Sequence, residues 1–286
     1  MSDVTERVAI VTGASKGVGR GAARAIAGQG FTVYVTARSE GGLAACVAEI
    51  EAAGGKAVAV RCDHADDAQV KALFDRVERE AGRLDLLVNN AAAVYGEELG
   101  KPGPFWEKDL KLADMIQVGL RSDYVAAYHA VPLMLRTGRA LIANISFYGA
   151  VSYFVGPAYG AAKAGTDKMT HDMAIDLAGT DVAICSIWPG YVRTDETKAI
   201  PDEFFPEELR AILPEFETPE FTGLVIAALL DDPRLPERSG KALIGAELGR
   251  EYGIADIDGK QPRDWTETMG RPFSYFRADA GLRLGR

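Results

Sequence analysis

The stretch RVAIVTGASKGVGRGAARAIAGQG, residues 7–30, decides the fold. Its first six residues are mostly apolar and rich in Val and Ile, the pattern of a strand buried on both faces. A turn carrying Gly13, Gly17 and Gly19 follows, and then an Ala-rich run that reads as a helix. A strand feeding a glycine-rich turn and a helix N-terminus places backbone N–H groups and the positive end of the helix dipole beneath an anion. Glycine is needed there because a Cβ would keep the backbone away from a pyrophosphate. The chain holds 31 glycines, so the spacing alone arises readily by chance. The context carries the reading: a strand before, a helix after, and a place near the start of the chain.

Outward from this unit, apolar runs recur at 31–37, 56–61, 84–88, 139–145, 181–187 and 241–245. Helical candidates lie near 18–29, 41–53, 65–81, 108–135, 157–178 and 203–230, each long enough for a parallel crossover. The expected fold is α/β: a single-domain Rossmann fold whose doubly wound, seven-stranded parallel sheet has helices on both faces, spanning residues 1–250. Gly119 and Pro132 should bend or shorten the 108–135 helix. Residues 251–286 read as a C-terminal extension packed on the domain, and about 191–222, rich in Pro and Glu, as a substrate loop. The ADIDGK run at 255–260 lacks the spaced carboxylates and closing Glu of a calcium loop.

Composition narrows the function classes. Across 286 residues, 32 basic and 41 acidic side chains give a formal net charge of −9, which argues against a nucleic-acid partner. With 48% hydrophobic and 26% charged residues, disorder as the main state is excluded. No apolar run reaches the roughly 18 residues of a membrane span. The start, MSDVTERVAI, carries neither a secretory signal nor a myristoylation site. Three scattered cysteines, Cys46, Cys62 and Cys185, argue against a disulfide framework and for a reducing, cytoplasmic setting. Together with His64, His129 and His171 they show no metal-ligand spacing.

The second strand ends in Thr36-Ala37-Arg38. An acidic residue there would bind the ribose 2′-OH of NAD, whereas Arg38 suits a 2′-phosphate, read bidentately by its guanidinium with Lys16 adding a second charge. The bland counterpart is a solvated strand-end charge. NADP(H) is therefore expected in preference to NAD(H). Of ten tyrosines, only Tyr159 has a lysine four residues later, Lys163. On a helix the two share a face, and a cation beside a phenol favours its phenolate, so the phenol can exchange a proton near neutral pH. Ser146 stands at the carboxyl end of the 139–145 run, where open α/β sheets bind their ligands.

In this order, TGASKGVG, NNAA at 89–92, Ser146, Tyr159-x-x-x-Lys163 and PGYVRT at 189–194 resemble the short-chain dehydrogenase/reductase family over residues 5–250. The resemblance implies that Gly13, Gly17 and Gly19, with Ser15, Lys16 and Val18 in the same turn, hold the pyrophosphate. It assigns Asp63 to the adenine, Asn89 to the ribose region, and Val192 and Thr194, with Pro189 and Gly190 before them, to the nicotinamide carboxamide. Tyr159 would donate the proton, Lys163 would also hold the nicotinamide ribose, and Ser146 would orient the substrate carbonyl. Gly119 departs from the family, in which many members carry an Asn whose main chain holds a water linking the lysine to solvent. The VGLR, PFWE and YGIADIDGK runs resemble one subgroup, which implies NADPH-dependent carbonyl reduction. Many relatives are homodimers or homotetramers, and the same is expected here.

The aromatics at 95–106, 147–154 and 191–216 would line a site for a bulky apolar ketone or aldehyde, or the corresponding alcohol. A second class stays open: an NADP(H)-binding redox sensor or scaffold with little turnover, to which Gly119 gives room.

Overall fold

The computed structural model describes residues 6–199 and 207–276. Seven parallel strands form one sheet in the order β3-β2-β1-β4-β5-β6-β7. They are β1 (Arg7–Thr12), β2 (Phe31–Ala37), β3 (Lys56–Arg61), β4 (Leu86–Asn89), β5 (Ala140–Ile145), β6 (Val182–Trp188) and β7 (Ala242–Ile244). The order reverses between β1 and β4. That leaves a crevice outside their carboxyl ends, the general ligand position of such sheets.

Helices α1 (Gly17–Gly28), α2 (Glu40–Ala52) and α3 (Asp67–Ala81) return the chain through the first half of the fold. In the second half α4 (Ser122–Thr137), α5 (Pro157–Asp176) and α6 (Pro219–Asp231) do so, and α7 (Gly245–Tyr252) follows the last strand. Val11, Val33, Val35, Leu141 and Ile187 face one side of the sheet and pack beneath α1 and α6, while Ile10, Tyr34, Leu87, Ile142 and Ile184 face the other beneath α3 and α4. Each strand is therefore apolar on both faces, which is why it reads as a continuous run and not as an alternation.

The expected 108–135 helix is broken. A 3₁₀ turn (Leu110–Ala113) and a short helix (Asp114–Ile116) lead to Val118 and Gly119, whose backbone is not helical; Gly119 has φ +131°, open to glycine and rare for other residues. Pro132 does not end α4, which runs through it to Thr137. The expected 203–230 helix is also divided. Glu207–Ile212 is helical, Leu213–Glu215 is 3₁₀, and α6 begins only at Pro219, where a missing N–H costs nothing. Residues 200–206 of the expected substrate loop, with Phe204 and Phe205, lie outside the described residues, as do 1–5 and 277–286.

The segment after α7 folds back onto the sheet's carboxyl side. The Asp256 carboxylate accepts from Thr218 N at 2.7 Å, which ties the segment to the start of α6. In this way the ADIDGK run serves as a structural pin. Trp265, 4% exposed, donates its main-chain N–H to Tyr148 Oη at 3.3 Å, and Tyr275 lies against His171 of α5. Among the described residues, no helix is long and apolar enough to cross a membrane.

Candidate active site

The glycine turn is held from below. Asn90 Nδ2 donates to the carbonyls of Thr12 (2.9 Å) and Gly13 (3.3 Å), and Thr12 Oγ1 accepts from Asn90 N and Ala91 N at 2.9 Å each. A Cβ on Gly19 would stand 2.4 Å from Asn90 Nδ2 and 2.6 Å from the Gly13 carbonyl oxygen, so this close approach of turn and strand end tolerates only glycine. At the N-terminus of α1 neither a capping side chain nor a first-turn carboxylate meets the free N–H groups. The turn with Ser15 and Val18 therefore fits an anionic diphosphate. Gly17 lies beside Thr194, and Lys16 pairs with Glu196 at 2.7 Å, which brings the first and last cofactor motifs face to face.

Of the two cations expected at a 2′-phosphate, Lys16 is exposed and forms this surface ion pair. Arg38 is exposed at the end of β2, forms no ion pair among the described residues, and acts electrostatically on Tyr95 across the cleft. Asp63 is half-buried in a turn, with its carboxylate accepting from Ala65 N at 3.0 Å. Beside it His64 is buried against Thr36 Oγ1 at 2.7 Å, and burial lowers its pKa to about 4, so this imidazole is neutral.

Ser146, Tyr159 and Lys163 come together at the carboxyl end of β5. Lys163 is 8% exposed; its Nζ donates to the Ile145 carbonyl at 2.8 Å and lies 5.7 Å from the Tyr159 ring centroid. Ser146 Oγ donates to the Lys163 carbonyl at 3.3 Å. The Tyr159 hydroxyl makes no hydrogen bond among the described residues, and burial pushes its pKa up. This differs from the phenolate expected beside a cation: with the ammonium turned toward Ile145, desolvation governs the phenol and it keeps its proton. Burial also pushes the Lys163 pKa down, against the opposing charges of Asp123 and Asp167. Gly119 closes this side of the site. Its carbonyl accepts from Thr166 Oγ1 at 3.1 Å and its N–H donates to Ser122 Oγ at 3.0 Å.

Beneath the site runs a buried polar chain. Asn89 Nδ2 donates to Asn144 Oδ1 (2.9 Å), Asn144 Nδ2 to Thr170 Oγ1 (2.9 Å), and Thr170 Oγ1 meets Ser186 Oγ (2.9 Å). Asn89 is 1% exposed, and among the described residues its Oδ1 has no partner, so its side chain is part of this buried polar chain. Two buried acids flank Lys163. Burial raises Asp123 to about 7, opposed by the Lys163 charge and Ser122. It raises Asp167 to about 6, opposed by Ser146, Trp188, Ser186 and Lys163.

The 189–194 segment forms the opposite wall. Pro189 and Gly190 are buried, and Gly190 N donates to Glu217 Oε2 at 3.0 Å. Val192 bridges to Glu217 in parallel, while Thr194 Oγ1 accepts from Thr197 N at 3.2 Å and so caps the short helix Asp195–Lys198. Tyr191 lies flat on Phe216 (5.0 Å, 11°) and edge-on to Trp265 (4.9 Å); Phe147 and Phe154 join the cluster toward Tyr159. Tyr95 stands apart, bonded to Asp114 at 2.8 Å, and Phe105, Trp106 and Tyr153 are largely exposed. An apolar cavity of about 130 Å³ opens beside Tyr159, walled by Leu99, Phe105, Leu112, Met115, Val155 and Pro157 among others.

Sequence reasoning did not single out Asp123, Asp167, Glu217, Trp188 or Trp265. The signal for Asp167 was present, since it continues the Tyr159, Lys163 spacing by one more turn.

A strand-turn-helix cradle, a Ser at a strand end and a Tyr/Lys pair on the next helix define a nicotinamide-dependent oxidoreductase of the Rossmann class. The chain belongs to the short-chain dehydrogenase family, whose pattern matches residues 7–203. It is 38% identical over 268 residues to "Dehydrogenase/reductase SDR family member 1" of Mus musculus, covering 91% of this chain and 86% of that one. That is the subgroup suggested by the VGLR, PFWE and YGIADIDGK runs. It is 33% identical to "Cis-4-hydroxycyclohexanecarboxylate dehydrogenase" of Sinomonas cyclohexanicum, over 88% of this chain and 98% of the relative. Among solved structures, a variant actinorhodin polyketide ketoreductase with NADPH superposes with a TM-score of 0.74 at 26% identity, over 85% of this chain and 97% of that one.

Proposed function

We propose that the chain is an NADP(H)-dependent carbonyl reductase, equally an alcohol dehydrogenase in reverse, acting on a bulky apolar ketone or aldehyde. The observation that carries this reading is the convergence of Ser146, Tyr159 and Lys163 beside an aromatic wall and an apolar cavity. When bound, the reduced nicotinamide supplies the hydride.

The protein's own residues supply everything else. The turn at Gly13 to Gly19 and the α1 N-terminus hold the diphosphate, and Arg38 holds the 2′-phosphate. Val192, Thr194 and Gly190 form the wall for the nicotinamide end, with Asp63 and the main chain of Asn89 beside the adenine and ribose. Ser146 Oγ donates to the substrate oxygen and fixes the carbonyl. The Tyr159 hydroxyl, whose proton burial retains, gives that proton to the same oxygen as charge develops. Lys163 stabilises the phenolate left behind and holds the nicotinamide ribose. The wall of Phe147, Phe154, Tyr191 and Trp265 excludes water and favours an apolar substrate. Exposed Tyr124, Tyr128 and Leu135 on α4 give a face for a homodimer or homotetramer.

NADPH oxidation by a panel of benzaldehyde, phenanthrenequinone and cyclohexanone tests the reading. Tyr159→Phe should lose about 10²–10⁴-fold in kcat with NADPH binding, followed by fluorescence, retained. A variant as fast as the wild type would overturn the mechanism. Arg38→Ala should cut the preference for NADPH over NADH about 10–100-fold, the worth of a charge-assisted contact. An unchanged preference would remove Arg38 from the site.

A further inference from the structure

The cavity beside Tyr159 is apolar around most of its wall, and two of its lining residues carry charge, Lys108 and Asp109. Asp109 is already matched: its carboxylate accepts from Lys111 N at 2.9 Å and pairs with the Lys111 ammonium at 3.6 Å. Glu98 is met by both Lys101 (2.6 Å) and Lys111 (3.3 Å). Glu97 and Glu107 are exposed and do not line the cavity. Lys108 differs from its two neighbouring lysines. It is half-buried on the extended link between the 3₁₀ turns Phe105–Glu107 and Leu110–Ala113. Among the described residues its ammonium forms no ion pair and donates to one acceptor, the Leu99 carbonyl at 3.3 Å, long for such a bond. Leu99 lines the same cavity. An ammonium has three N–H donors, so two of them find no acceptor among the described residues. A cation set beside an apolar wall is costly to leave unpaired, and an anion on the ligand would offset that cost.

We infer that Lys108 determines specificity by holding a carboxylate on the substrate. The substrate class is then an aldehyde or ketone whose apolar ring or chain carries a carboxylate remote from the carbonyl, with the matching hydroxy acid in reverse. Tyr159 and Lys108 line one cavity, so a single ligand can present its carbonyl to the first and its carboxylate to the second. The cavity's volume, about 130 Å³, is close to that of one that takes a benzene ring. Leu112, Met115 and Val155 enclose the apolar part, and their exclusion of water strengthens the ammonium–carboxylate pair. The carboxylate is held and not transformed: no bond to it forms or breaks, and the carbonyl chemistry is the one already proposed. A net charge of −9 repels an anion at long range, so such a substrate needs a local cation of this kind.

The inference rests on the reductase reading, and one experiment separates the two. NADPH oxidation is followed with 4-formylbenzoate and with its methyl ester, the same aldehyde without the charge. The quantity read is the ratio of kcat/KM for acid over ester, compared between wild type and variants so that the intrinsic reactivity of the two aldehydes cancels. Lys108→Met should lower the ratio about tenfold or more, the usual size of a charge-assisted contact. Lys108→Glu should lower it further by repulsion, a second reading if the first variant does not fold. Lys108→Arg keeps the charge and should hold the ratio within about threefold. A Lys108 that only ties down the Leu99 carbonyl would, when replaced, slow both substrates by the same factor. A ratio unmoved in Lys108→Met and Lys108→Glu therefore overturns the role of Lys108 alone, as does a wild type that reduces the ester, benzaldehyde, phenanthrenequinone or cyclohexanone but not 4-formylbenzoate. A wild type that binds NADPH and reduces none of these carbonyls overturns the reductase reading and this inference with it.

Discussion

Replacing Glu217 by Gln should stabilise the protein, by a margin that grows as pH rises from about 4.5 to about 8. The residue is 2% exposed, accepts from Gly190 N at 3.0 Å and from Thr222 Oγ1 at 3.4 Å, and lies near Asp256. Burial, with the Asp256 charge adding to it, lifts its carboxyl from 4.5 to about 8 against the Gly190 N–H. In the unfolded chain the carboxyl titrates at its ordinary value. Between the two pKa values the unfolded state has therefore released a proton that the folded state keeps, and stability falls as pH rises through that window. At roughly 1.4 kcal/mol per unit, the wild type at pH 7 has lost about 3 kcal/mol relative to its stability below pH 4.5. A Gln amide offers the same acceptor oxygen to Gly190 and does not titrate. The variant should match the wild type near pH 5 and melt about 6 °C higher at pH 7. Thermal melts of both proteins from pH 5 to 8.5 isolate this group, because every other titration is common to the pair. Parallel curves of Tm against pH would refute the assignment of a neutral, buried acid at this position.

Two other outcomes follow from the packing. Gly19→Ala, with its Cβ forced against Asn90 Nδ2 and the Gly13 carbonyl, should cost about 1–3 kcal/mol in denaturant unfolding and weaken NADPH binding at least about tenfold; unaltered NADPH titration would take the turn out of the cofactor site. Trp265→Ala removes a side chain packed on Tyr191 and should cost about 3–5 kcal/mol while raising KM for apolar ketones without changing NADPH affinity, and an unchanged KM would remove the C-terminal segment from the substrate wall.

What the sequence made legible is what short-range patterns encode. The doubly apolar strands, the crossover helices and the glycine turn are each read within a dozen residues. The Tyr159, Lys163 pair is a matter of one helical turn. The Pro132 reading went too far because α4 keeps its course through a single missing donor when its face is packed, as Ala126, Ala130, Leu133 and Met134 are here. The Lys16–Glu196 pair could not be read from the sequence, because its two members lie far apart in the chain and meet only in the fold. Glu217 and Trp265 were invisible for the same reason. Each gains its meaning from a partner 27 or more residues away, Gly190 in one case and Tyr148 in the other.

The polar groups under the site have a consequence for how the chemistry is tuned. On α5 the buried face is not a simple apolar stripe: Lys163, Thr166, Asp167 and Thr170 all lie in the interior with Ala162. A face of this kind gains little from the hydrophobic effect, so its position depends on hydrogen bonds to β5, β6 and Gly119 being satisfied together. Lys163 belongs to the same network, its ammonium donating to the Ile145 carbonyl and its own carbonyl accepting from Ser146 Oγ. Stability of the helix and electrostatics of the site are then one network. A substitution at Asn144, Thr170 or Ser186, none of which reaches a substrate, should change the pH dependence of turnover as well as the melting temperature.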